Sequence, residues 1–125
     1  MLASKNVAAN IAVKDMAKAR KFYEGTLGLK EVERMEDDVT TYRSGDASII
    51  VYRSEFAGTN KATCATWTVG DEVEKVVKEL KGKGVSFEHY DMPGIKLEGD
   101  VHVGDGMKVA WFKDPEGNIL NVVSG

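Results

Sequence analysis

The sequence predicts an α+β fold made of two copies of one strand–helix–strand–strand–strand unit. Three observations predict it. Val13-Lys14-Asp15 and Val69-Gly70-Asp71 each open a helical stretch and lie 56 residues apart, a spacing that reads as an internal repeat. Each stretch carries apolar residues on one helical face: Met16, Ala19 and Tyr23 in the first, with Phe22 beside them, and Val73, Val76, Val77 and Leu80 in the second. Near the end of the chain, Asp114-Pro115-Glu116-Gly117-Asn118 separates two apolar runs and reads as a hairpin turn.

In order along the chain, an apolar strand over residues 7–13 leads to Asp15, whose carboxylate can cap the following helix by accepting its free N–H groups. Strands are expected over 29–34, 40–43 and 47–53, with turns at Glu36-Asp37-Asp38 and Ser44-Gly45-Asp46. Repeat one thus covers about residues 5–54, a polar connector about 55–61, and repeat two about 62–125, all in a single domain of 125 residues. The second repeat opens with a strand over 62–69. Asp71 is expected to cap its helix, with Glu74 at the capping-box spacing. Further strands are expected over 85–88, 108–112 and 119–123. Residues 89–107, rich in Gly, are expected to form a long loop, the kind of segment that serves as a lid. In the turn, Pro115 presets φ, while Gly117 and Asn118 tolerate positive φ.

Composition narrows the function. The hydrophobic content of 42% supports one ordinary core, and the net charge of −3 gives no basic footprint for nucleic acid. No apolar run reaches the roughly 20 residues that cross a bilayer, and the start Met1-Leu2-Ala3-Ser4-Lys5 lacks the apolar stretch of a secretory signal, so no membrane partner and a cytoplasmic location are expected. Cys64 is the only cysteine, which rules out an intrachain disulfide and the paired-cysteine zinc patterns.

The doubled unit, the phrase Val13-Lys14-Asp15 with Phe22-Tyr23 and Leu27-Gly28-Leu29, and the closing Asp114-Pro115-Glu116-Gly117-Asn118 together resemble the vicinal oxygen chelate superfamily, the glyoxalase/bleomycin-resistance/extradiol-dioxygenase family. The resemblance implies that the two βαβββ repeats form an incomplete, barrel-like cupped sheet with flanking helices, that the cup holds a ligand cavity, and that the protein is a homodimer. In the family's metalloenzymes four inward side chains hold one divalent ion. The corresponding positions here are Ala8, Ile50, Cys64 and Asn121, which offer one thiol and one neutral amide between them. The expectation is therefore no metal. The alternative is a divalent ion held by Cys64 with His102, His89 or Asp91.

With the metal gone, the cavity remains. Strand alternation places Asn10, Ile50, Tyr52, Cys64, Thr66, Trp111 and Asn121 on its wall, while Trp67 has the opposite parity and packs behind the sheet. This lining suits a hydrophobic or aromatic small molecule, stacked on Trp111 or Tyr52, and the expected function is its metal-independent sequestration, as in the family's antibiotic-resistance members. The alternative is a glyoxalase-like lyase, isomerase or dioxygenase in which His102 or His89 moves a proton.

Overall fold

The computed structural model describes residues 1–124. The chain divides into two compact units: Met1–Asn60 with Pro115–Asn118, and Lys61–Asp114 with the stretch from Ile119 on. The split follows the two repeats, except that the turn Pro115–Asn118 groups with the first. None of the described helices is long and apolar enough to cross a membrane.

Unit 1 holds strand β1 (Ala9–Val13), helix α1 (Met16–Arg20), and strands β2 (Lys30–Met35), β3 (Val39–Ser44) and β4 (Ala47–Arg53). They form a sheet in the order β1-β4-β3-β2, with β1 parallel to β4 and the other pairs antiparallel. As the spacing predicts, Met16, Ala19 and Tyr23 are buried, and α1 packs on β4. The helix does not continue regularly to Gly28. Residues Lys21–Thr26 widen into a π-helical turn, which closes with the Leu27 N–H on the Phe22 carbonyl. The turn carries Tyr23 onto the core side, where its ring stacks on Tyr42 at a centroid separation of 6.0 Å. Both tyrosines are fully buried.

The entry to α1 is built from three segments distant in sequence. The Asp15 carboxylate accepts from the Lys18 N–H at 3.1 Å, the expected cap. Glu116 Oε2 accepts from the backbone N–H groups of both Lys14 and Asp15, each at 2.7 Å. Asn118 is nearly buried and donates from Nδ2 to the Ala12 carbonyl at 2.8 Å, so its amide and not a left-handed backbone is what the turn uses; Gly117, with φ +90°, supplies the positive φ. Gly58 lies so close that a Cβ there would run into the Glu116 carbonyl oxygen, and its own φ of +75° favours glycine.

Unit 2 repeats the plan with β5 (Thr63–Thr68), α2 (Val73–Gly82), β6 (Phe87–Glu88), β7 (Lys96–Glu98), β8 (Val101–Gly104), β9 (Met107–Lys113) and β10 (Ile119–Val123). The sheet order is β5-β10-β9-β8-β7, with β6 also on β9, and β5 runs parallel to β10 as β1 does to β4. Val73, Val77 and Leu80 face the core, each contributing roughly 1.5–3 kcal/mol through burial, and α2 packs on β9 and β8.

Two expectations are corrected in unit 2. Asp71 does not cap α2: residues Gly70–Glu72 form a 3₁₀ turn, and no side chain caps either that turn or the helix. Gly70, at φ +63°, allows this backbone-only entry. The segment 89–107 is not one long loop, because β7 and β8 form within it. Two strands of three and four residues between glycines show too few alternations to be read from the sequence.

Candidate functional site

The alternation of β9 and β10 sorts unit 2 into two faces. Ala110 and Phe112 on β9, and Leu120 and Val122 on β10, are buried toward α2. Trp111 and Asn121 point to the opposite face, away from α2, paired across the sheet, and Thr66 on β5 is the other register partner of Asn121. Asn121 thus sits on an interior strand, between a half-buried tryptophan on β9 and an exposed threonine on the edge strand β5. Trp67 pairs with Val122 and shares its parity, on the α2 side.

An aromatic corner forms around Trp111. Its ring meets His102 at 4.8 Å and Tyr90 at 5.2 Å, both edge-on, and Tyr90 stacks on His102 at 6.2 Å. Trp111 Nε1–H donates to Thr63 Oγ1 at 3.1 Å. Strict alternation from Cys64 would not put Thr63 on this face, but the β5–β10 register shifts between Ile119 and Leu120, and the shift makes Thr63 the indole's partner in place of Cys64. Cys64 is half-buried; burial, and then the negative charge of Asp114, push its thiol pKa up.

His102, expected in a solvated lid, is 2% exposed on β8. Its Nε2 accepts the Tyr90 backbone N–H at 2.9 Å, so Nδ1 carries the proton toward the Val109 carbonyl at 3.3 Å. With both ring nitrogens engaged, it holds the 88–91 segment against the sheet and has no lone pair free to take a proton from a ligand. His89 is different: half-exposed, with Nε2 at 2.7 Å from Asp100 Oδ1. Asp100 also meets Lys81 Nζ at 2.7 Å, and Lys81 first, His89 second, hold its carboxyl below the usual range. An imidazole oriented by a carboxylate is chemically able to relay a proton. It is the one of the two candidate histidines with that capacity.

In unit 1 the corresponding face carries Asn10, which is exposed, and Ile50 and Tyr52, which are half-buried; β1–β4 pairing sets Asn10 against Ile50 and Ala12 against Tyr52. A separate open hollow of about 380 Å³ is lined by Lys14, Arg53, Ser54 and Glu55. Two cations, a hydroxyl and a carboxylate make it a solvated recess, and Arg53 is already paired with Asp38 at 2.9 Å.

The four residues that the resemblance sets at the family's metal positions are a poor donor set for a divalent ion. Ala8 and Ile50 have no donor atom, Asn121 offers a neutral amide, and Cys64 supplies a single thiol where a site needs three or four ligands. Among the described residues no group of three or more His, Cys, Asp or Glu side chains is gathered as a metal site. His102 is spent on Tyr90 and Val109, which removes it from the alternative ligand set.

Solved structures agree on the fold. The chain is similar to a lactoylglutathione lyase from Agrobacterium tumefaciens (15% identity, TM-score 0.71, covering 96% of this chain and 92% of that one). It is similar to an integron cassette protein from the mobile metagenome of a Halifax Harbour sewage outfall (18% identity, TM-score 0.73, covering 98% and 99%). It is also similar to the fosfomycin resistance protein FosX from Listeria monocytogenes (15% identity, TM-score 0.72, covering 98% and 91%). A comparison with curated protein sequences finds no match. A sequence profile of the Glyoxalase/Bleomycin resistance protein/Dioxygenase superfamily matches residues 6–122, nearly the whole chain. The chain belongs to that superfamily.

Proposed function

We propose that this protein binds a flat, largely apolar small molecule on the face of unit 2 away from α2, without a metal, in the manner of the superfamily's sequestering resistance proteins. The aromatic corner carries the reading. Trp111 is half-buried, wedged edge-on by Tyr90 and His102, and tethered through its indole N–H to Thr63, so its ring is held in place before any ligand arrives. A ring fixed in advance loses little freedom on binding, which favours stacking over repacking. The donor chemistry at Ala8, Ile50, Cys64 and Asn121 supports the metal-free part of the proposal.

The test is fluorescence titration of a Trp67→Phe variant, in which Trp111 is the only tryptophan, with flat bicyclic and tricyclic aromatics. Saturable quenching is expected, unchanged by chelator. Trp111→Ala should weaken binding, followed by calorimetry, by about tenfold or more. A Trp111→Ala protein that binds the same compounds as tightly as the parent would sink the proposal.

A further inference from the structure

His102 is 2% exposed on β8, and each of its ring nitrogens meets a group that can play only one part. The Tyr90 backbone N–H can only donate, so Nε2, at 2.9 Å, must keep its lone pair. The Val109 carbonyl can only accept, so the proton sits on Nδ1, 3.3 Å away. The site is built for a neutral imidazole. Strand pairing between β6 and β9 stops at Glu88, and two residues on the Tyr90 N–H finds this ring in place of a carbonyl. Tyr90 in turn lies edge-on to Trp111 at 5.2 Å between ring centres, so the imidazole holds one wall of the indole's surroundings.

A second proton would go to Nε2 and set two N–H groups against each other, which ends the bond to Tyr90. We propose that neutral His102 is the positioning residue of the aromatic corner, and that protonation at Nε2 releases Tyr90 from Trp111, so that the corner loosens in acid. The closed arrangement accepts only the neutral ring and the open one accepts either, so lowering the pH favours opening. Neighbouring charges do not supply the same response. The residues opposite His102 on β7 and β9, Leu97 and Val109, are uncharged. Of the ionisable groups nearby, Glu88 is paired with Lys113 and Lys108 with Glu74, while Asp91, Lys96 and Glu98 are exposed. The His89 ring lies 6.4 Å from that of His102, but its Nε2 faces Asp100, whose carboxyl Lys81 first and His89 second hold below the usual range. A proton on His89 therefore tightens its contact in acid, the opposite sign.

NMR of the nitrogen-15-labelled imidazole rings tests this without any ligand, read beside hydrogen exchange at the Tyr90 amide from about pH 7.5 to about pH 4.5, a span that brackets histidine's ordinary range. At the upper end His102 is expected as the Nδ1–H tautomer. Its protonation should coincide with a loss of about tenfold or more in Tyr90 amide protection, corrected for the intrinsic exchange rate. His102→Gln, whose amide oxygen can accept the Tyr90 N–H at any pH, should keep that protection throughout, and His89→Gln should behave as the parent does. An Nε2–H tautomer, a His102 that stays neutral until the whole domain unfolds, or a Tyr90 amide still protected once the ring is charged would each overturn the proposal. So would an acid response kept in His102→Gln or lost in His89→Gln. If His102→Gln does not fold, the ring titration and His89→Gln decide alone. Where the corner holds a flat ligand as proposed above, affinity should fall over the same pH range. That consequence alone rests on the binding site, and its failure beside the expected ring titration would count against the site only.

Discussion

Unit 1 enters its helix through side chains, and unit 2 enters its helix through backbone alone. At α1, Asp15 and Glu116 together satisfy three N–H groups, those of Lys14, Asp15 and Lys18. At α2 a 3₁₀ turn from Gly70 does the work and Asp71 caps nothing. The two units also differ in where they leave polar atoms single. In unit 1 the unpaired Thr40 Oγ1 lies fully buried on β3, paired with Val51 and on the same side as Tyr42, sealed in the core. In unit 2 the unpaired Asn121 Oδ1 lies on the face away from α2. One sequence plan, used twice, has become a braced helix entry in one copy and in the other a sheet that keeps an unpaired amide oxygen on the face away from its helix.

The largest expected effect tests the bracing. Glu116→Ala removes two charge-assisted bonds of 2.7 Å and should cost about 2–3 kcal/mol in urea unfolding, with Glu116→Gln recovering part because its amide oxygen can still accept. Asp71→Ala, at the matching place in unit 2, should cost under about 0.5 kcal/mol. Equal losses would mean that the asymmetry between the helix entries has no energetic content.

Much of that asymmetry could not be read in advance. Asp15 as a cap, the buried face of Met16, Ala19 and Tyr23, and the turn at Pro115 were legible because each depends on neighbours within a few residues. The Glu116 clamp joins residues about a hundred positions apart, and nothing local marks a glutamate for that role. Strand β8 was hidden because it is only four residues long and ends on Gly104, with the polar His102 as one of its buried residues. Thr63 was missed for a related reason: one register shift moves the parity of β5, and bulges leave little trace in composition. That Trp111 and Asn121 share a face followed from strand parity, yet their direct pairing and the unpaired oxygen are properties of the assembled sheet.

A middle-sized effect distinguishes the cores. Burial first, and then its 2.8 Å hydrogen bond to Glu24, raise the Tyr42 phenol well above its usual value of 10.0. The unfolded chain would lose that proton near pH 10 while the folded one keeps it, so stability is full below about pH 10 and falls as pH rises beyond it, by up to about 1.4 kcal/mol per pH unit for this group. Tyr42→Phe should cost about 1–2 kcal/mol at pH 7 and flatten the alkaline limb of the stability curve. An alkaline limb identical in the two proteins would place the titration elsewhere, among the other tyrosines.

The smallest effect separates the two unpaired oxygens, which look alike as defects but occupy different faces. Replacing either by an apolar group of similar shape removes a buried polar atom that has no partner, so Thr40→Val and Asn121→Leu should each raise stability by about 1 kcal/mol, a shift of several degrees in Tm at this chain length. Thr40 is enclosed on the α1 side of its sheet, and its replacement should leave aromatic ligand binding as it was. If Asn121→Leu instead lowers Tm by as much as a core truncation would, its amide is already at work inside the fold. That face of unit 2 would then be no less satisfied than the core of unit 1.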